Sequence, residues 1–259
     1  GVILFMADKP LSRRKAGKPK EVKDVQPIMQ HILALRRVLL ISLAAILLAF
    51  ILCFYFLGDY LVDMLTKPIV DRGIVIIYTA VSEALLTKMK VSLVAGIILA
   101  SPVVLFELWG FISPALYPKE RRKFSLLFVA ALLLFLMGIA FCYGVVYSMA
   151  LDFFLVSGEG LATPMLSIDK YIGYLFGFAL PFGISFQVPV AIYITTSMGL
   201  TTPKGLSKAR KFVLLGIAVG AAILTPPDVV SQVLLGIPMW ILYEISVVIS
   251  RMVKKKERA

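Results

Sequence analysis

A chain of 259 residues with 60% hydrophobic residues and a mean hydropathy of +0.94 lies outside the composition of soluble domains, in which apolar residues make up about half. The net charge of +12 is sorted by loop, which points to membrane topology rather than to nucleic acid. His31 is the only histidine, so no histidine metal cluster or histidine triad can be built, and Cys53 and Cys142, both inside apolar runs, read as small apolar filler.

Residues 1–24 carry Lys9, Arg13, Arg14, Lys15, Lys18, Lys20 and Lys23 without apolar periodicity, the pattern of a disordered basic tail. Ser12-Arg13-Arg14-Lys15 superficially resembles a twin-arginine export signal, but the apolar region of such a signal does not follow closely enough. From Val25 to Arg37, apolar residues recur at helical spacing and cations close the segment, which predicts an amphipathic interfacial helix running into the first span. That span covers Val38 to Leu57, and Pro68 is expected to break the mixed segment Gly58 to Leu86 into short interfacial pieces.

Span two is read at Thr87 to Trp109 and span three at Phe124 to Tyr147, with a mixed loop over Ser148 to Lys170. Span four, Tyr171 to Met198, contains Pro181 and Pro189 and should be kinked. Span five is the short apolar run Phe212 to Thr225, about 21 Å long at 1.5 Å per residue against a hydrocarbon core of about 30 Å. Pro226-Pro227-Asp228 turns the chain into span six, Val229 to Ser250, and a basic tail occupies 252–259. One membrane domain over 25–251 with six helices is the expected organisation, an all-α polytopic membrane protein.

Of the 27 lysines and arginines, all but Lys67, Arg72, Lys88, Lys90 and Lys170 fall in the two tails, the second-to-third loop and the fourth-to-fifth loop. Cytoplasmic loops carry the excess of cations, so both termini are expected in the cytoplasm. No phosphate-binding loop, H-E-x-x-H or catalytic triad is present, so no enzyme activity, cofactor or metal is expected.

Polar groups inside the apolar runs are the next candidates, because burying them in lipid is costly. Gln187 lies mid-span between two prolines and reads equally as an interhelical hydrogen bond or as a functional group. Glu244 can snorkel or pair with Arg251, and Asp228 can cap the start of span six. Glu120 lies outside the apolar runs with Phe111, Pro114 and Tyr117 beside it. It could accept a bidentate guanidinium, or it could be neutralised by Arg121, Arg122 and Lys123.

The segment Phe111-Ile-Ser-Pro-Ala-Leu-Tyr-Pro-Lys-Glu120-Arg-Arg resembles the F-I-x-P-A-L-Y-x-x-E-[RK]-R signature of the TatC family, the receptor subunit of the twin-arginine protein translocase. Gln26-Pro27-Ile28 with His31, Leu35 and Arg36 is similar to that family's N-terminal element, and Ser101-Pro102-Val103 to the end of its second span. Phe182-Gly183, Phe186-Gln187-Val188-Pro189, Leu224-Thr-Pro-Pro-Asp228, Ser231-Gln232, Ile237-Pro238 and Tyr243-Glu244 extend the likeness over residues 25 to 251.

The resemblance implies a glove-shaped protein of six helices with two short final ones, in the bacterial cytoplasmic (inner) membrane. It implies a receptor for twin-arginine signal peptides that recruits single-span TatA- and TatB-type partners, associates with itself, and exports folded precursor proteins on the proton-motive force. Carried over by position, Glu120 would accept the signal's guanidinium, Phe111 and Pro114 would shape its loop, and Arg36 would form the other half of the site. Tyr143, Gln187, Asp228 and Gln232 would be polar points facing the signal and partner subunits, and Pro68 would shape the outer cap.

Two positions depart from the pattern: Ala34 stands where the family has a glutamate, and Gln187 where it often has one. The first removes an expected second acid from the signal site, and the second removes a titrating group. A proton-coupled secondary transporter, which needs facing titratable groups near the midplane, and a membrane scaffold without receptor function are the alternative readings.

Overall fold

The computed structural model describes residues 25–112, 121–158, 165–225 and 228–256. Six helical passes follow one another. The first is α1 (Val25–Leu52), a π-helical turn at Cys53–Leu57 and α2 (Gly58–Val70); the second is α3 (Glu83–Ile112). The third is α4 (Arg121–Phe141), a second π-helical turn at Cys142–Tyr147 and α5 (Ser148–Gly158). The fourth is α6 (Ile168–Ser185) with α7 (Val188–Ser197), the fifth α8 (Pro203–Leu224) and the sixth α9 (Val229–Lys256). Two three-residue strands, β1 (Val75–Ile77) and β2 (Met165–Ser167), pair in parallel with Val75 opposite Met165.

The helices outrun the apolar stretches that announce them. Five helical stretches among the described residues are long and apolar enough to cross a membrane. α8 is not among them, because Lys204, Lys208, Arg210 and Lys211 occupy its first half, yet it is a continuous helix of 22 residues rather than the fourteen expected. Its start is well specified: Thr202 accepts a hydrogen bond from the Gly205 amide at 3.1 Å, and Pro203 occupies the first turn, where its missing N–H costs nothing.

Three further expectations need correcting. Pro68 does not break its segment: it sits in the last turn of α2, where a missing donor affects one bond, and the chain leaves the helix at Asp71–Gly73 instead. Gly73 takes a φ of 76°, open to glycine at little cost. The expected loop from Ser148 begins with α5, whose apolar face covers Leu61 and Leu65 from α2 through Leu151 and Leu155. In the fourth pass the interruption falls at Phe186–Gln187, ahead of Pro189, while Pro181 stays inside α6.

The packing order places α1 at one edge and α8 at the other. α3 packs against α1, α4 and α6; α6 meets α4 and α9; α9 carries α7 and α8. Tight contacts come from small residues, as expected where lipid provides no hydrophobic drive between helices. Ser92, Gly96 and Ala100 form a buried stripe on α3, and a Cβ on Gly96 would meet the Phe50 backbone nitrogen at 2.8 Å. Gly138 lies as close to the Phe182 carbonyl, with 2.9 Å for a Cβ there. The outer faces of α1 and α8 are apolar and exposed, Leu39, Leu43, Leu47 and Leu215 among them, as lipid-facing surfaces are.

Candidate functional site

The sequence-derived residues fall into three groups. The first lies where α1 begins and α3 ends. Gly58 sits against Lys88 and Phe50 against Gly96, so α1 and α3 run antiparallel in a fixed register. Continued along both helices for 14 residues, or about 21 Å, that register brings Arg36 level with Gly110, beside Phe111. Arg36 and Ala34 are both exposed on α1. Phe111 lies in the last turn of α3, half-buried, one turn from Trp109, which packs with Leu105, Ala131 and Ile194. Pro114 and Glu120 lie outside the described residues.

The second group is internal. At the break between α6 and α7, Gln187 donates from Nε2 to the Ala131 carbonyl at 3.0 Å, while its Oε1 is buried without a partner. The amide thus bridges to α4 and leaves an unfilled acceptor, so the interhelical bond is real without exhausting the group. Tyr143 is partly exposed on the second π-helical turn, its ring stacked on Tyr147 at 5.9 Å. Tyr147 meets Tyr171 edge-on, and the Tyr171 hydroxyl donates to the Leu65 carbonyl at 2.6 Å, continuing the aromatic row to α2.

Asp228 caps α9 as expected, its Oδ1 accepting from the Ser231 amide at 2.6 Å, with Oδ2 buried and unpartnered. Tyr174 was not singled out from sequence; its hydroxyl lies 2.8 Å from the Ser231 Oγ and ties α6 to the same turn. Gln232, one turn into α9, donates from Nε2 to the Ala218 carbonyl of α8 at 3.0 Å. Next to it an apolar groove of about 260 Å³ runs between α8 and α9, lined by Leu214, Ile217, Gly236 and Trp240 among others. Glu244 pairs with Arg210 of α8, not with Arg251, because α9 turns Glu244 onto the α8 seam; the Nη2–Oε2 distance is 2.6 Å.

The third group is the cap at the opposite loop end, built around β1 and β2. Its central residue is Glu83, which sequence reading treated as one charge in a mixed loop. Glu83 is buried and accepts from the Thr79 amide, from the Thr79 Oγ1 at 2.8 Å and from the Ala80 amide at 3.2 Å. It also accepts from the Ser167 Oγ and from the Asp169 amide at 3.1 Å. An ionised carboxylate offers about four lone-pair positions and no donor, so this site is filled from both loops. Ion pairs of Arg72 with Asp152, Lys88 with Asp59 and Lys90 with Asp169 surround it. Pro68 ends α2 just before the cap. Among the described residues no group of His, Cys, Asp and Glu could hold a metal ion.

Comparison with known proteins gives these groups a common context. The family model described as Sec-independent protein translocase protein (TatC) matches residues 30–238. The chain is 38% identical over 231 residues to the Sec-independent protein translocase protein TatC of Carboxydothermus hydrogenoformans, covering 89% of this chain and 95% of that one. It is 38% identical over 240 residues to the protein of the same name from Escherichia coli K12, covering 92% and 93%. A crystal structure described as the twin arginine translocase receptor TatC superposes with a TM-score of 0.80 at 39% identity, covering 86% of this chain and 99% of that one. With its membrane-crossing helices in the same order and its motifs spread over the matched span, this chain belongs to the TatC family of Sec-independent protein translocase proteins.

Proposed function

We propose that the chain is the signal-peptide receptor and core subunit of a twin-arginine translocase, with Glu120 as the acceptor for the signal's arginine guanidinium. The observation that carries this reading is the α1–α3 register, which puts Arg36 beside the end of α3 from which the Phe111–Glu120 segment departs. A carboxylate matches a guanidinium with two parallel hydrogen bonds and a lysine ammonium with one point contact. Ala34 leaves the α1 side of the site without the carboxylate usual in the family, so Glu120 carries the recognition with less help. Pro114 shapes its loop.

The cation bias puts both termini and the Glu120 loop in the cytoplasm of a bacterial inner membrane and the Glu83 cap on the outer face. Tyr143, Gln187, Asp228 and Gln232 serve as polar contacts for the signal peptide and for single-span TatA- and TatB-type partners, with further copies of this chain in the complex. Transport of folded precursors draws on the proton-motive force. Support for the receptor assignment comes from the name of the superposed structure and from the Phe111–Glu120 motif.

A photo-crosslinker beside Glu120 tests the reading. Precursors with an Arg-Arg signal should label several-fold more strongly than Lys-Lys versions, and equal labelling would sink the assignment. Ala34→Glu should raise that yield and Glu120→Ala should nearly abolish it. One charge-assisted hydrogen bond, about 1.5–3 kcal/mol, corresponds to roughly ten- to hundredfold in affinity.

A further inference from the structure

The seam between α8 and α9 is built on a single repeat. On α8 it runs through Arg210, Leu214 and Ala218, and on α9 through Gln232, Gly236, Trp240 and Glu244, each four residues from the next. Side chains four apart share one face of a helix. The two polar rungs lie at the ends: Gln232 to the Ala218 carbonyl at 3.0 Å, and Arg210 to Glu244 at 2.6 Å. The hydroxyl of Tyr243 reinforces the second rung by donating to the Leu206 carbonyl at 2.7 Å. The groove of about 260 Å³ lies between them, floored by Gly236, on which a Cβ would meet Ile217 only at 3.7 Å.

Two helices in lipid with small residues at their contact close together unless something holds them apart, because packing itself drives them together. Nothing within the groove does so: its lining is apolar apart from Gln232. The rungs remain. Arg210 and Glu244 side chains are 39% and 33% exposed, and a planar guanidinium fork defines both the distance and the orientation of the helices bearing the pair.

We infer that the Arg210–Glu244 ion pair is a positioning device that holds α8 and α9 at the separation at which the groove receives the apolar span of a single-span partner subunit. The inference rests on the proposed role of Gln232 and its surroundings in partner contact. Neither residue touches the partner in this scheme; both act through the groove.

Two measurements on the full chain in lipid nanodiscs separate the device from the docking. Spin labels at Leu215 and Ile241, exposed and off the groove lining, report the spacing of α8 and α9. Arg210→Gln and Glu244→Gln should each shift the mean distance by about 2 Å, the spread of ordinary interaxial distances. The exchanged pair Arg210→Glu with Glu244→Arg should return it. An unchanged distance in the single variants, or a shift that the exchanged pair fails to reverse, overturns the inference.

In the second measurement, a cysteine at Ile237 is oxidised against cysteines scanned along the span of co-expressed single-span partners, with Cys53 and Cys142 replaced by alanine. The single variants should lower the yield about fivefold and the exchanged pair should restore it, while precursor labelling beside Glu120 stays constant. A restored distance without restored yield overturns the link to docking. Absence of any crosslink in the otherwise unaltered chain overturns the partner reading itself, leaving the spin-label result to decide the positioning role alone.

Discussion

Replacing Gly96 by alanine perturbs the packing that registers α1 against α3. A Cβ at this position would lie 2.8 Å from the Phe50 nitrogen and 2.9 Å from its Cα. Ordinary carbon contacts need about 3.5–4.0 Å. The atoms in the way are backbone, so no side chain can rotate aside and the helices must part by about 0.7–1 Å. A gap of that size forfeits a quarter to a half of each dispersion contact. Over roughly 40 atom pairs at 0.1–0.2 kcal/mol each the loss comes to about 2 kcal/mol, within the range of about 1–3 kcal/mol seen on overpacking.

Alanine regains about 1 kcal/mol of helix propensity, leaving a net destabilisation of about 1 kcal/mol. The control is Gly220→Ala, where a Cβ meets nothing within 4 Å and only the propensity gain of about 1 kcal/mol applies. Reversible unfolding in mixed detergent micelles should therefore separate the two variants by about 2 kcal/mol. Equal stabilities would refute the close-approach reasoning. The functional counterpart is a displaced Arg36 relative to Phe111, read as weaker precursor labelling beside Glu120.

The remaining predictions concern the cap, the helix break and one turn. Cysteines at Ile76 and Leu166, which face each other across β1 and β2, should form a disulfide readily in the otherwise unaltered chain. The disulfide should form several-fold more slowly with Glu83→Ala, and a rate indifferent to Glu83 would show that the carboxylate does not join the loops. Gln187→Met removes one hydrogen bond and one unfilled buried acceptor together, so stability should stay within about 1 kcal/mol. Transport should fall all the same if the amide serves a partner; unaltered transport would assign it to packing. Gly199 ends α7 with a φ of 74°, closed by the Leu200 amide donating to the Thr195 carbonyl at 2.9 Å. Gly199→Ala should cost about 1–2 kcal/mol in the same unfolding measurement, and a neutral result would mean the turn relaxes.

What the chain discloses before folding depends on how far apart the cooperating residues lie. The spans at Thr87–Trp109 and Val229–Ser250 were legible because twenty apolar residues in a row have few other uses. Their true ends, Glu83 and Lys256, were not, since hydropathy reports the lipid that a helix crosses and not where its backbone bonds stop. Arg36 and Gln187 could be placed because the motifs around them are local. Glu83 could not: Ser167 and Asp169 are 84 and 86 residues away, and a lone glutamate in a mixed loop looks solvated until those partners arrive. The same holds for Arg210 and Glu244, 34 residues apart, for which the neighbouring Arg251 offered a nearer but wrong answer.

The two π-helical turns set the phase of the passes that contain them. Buried positions on the first pass step from Ala49 to Cys53 by four, from Cys53 to Gly58 by five, and on to Leu65 and Ile69. An α-helix turns about 100° per residue, so the step of five across Cys53–Leu57 absorbs one residue that a regular helix would carry round to the lipid side. A chain one residue shorter there would still form a helix of almost the same length. It would rotate everything beyond the turn by about 100°, swinging Leu65 and Ile69 off α6 and the cap while leaving Arg36 where it stands. The extra residue therefore works as a phase adjuster between the two ends of one helix, letting the packing of the signal end and of the cap be set independently.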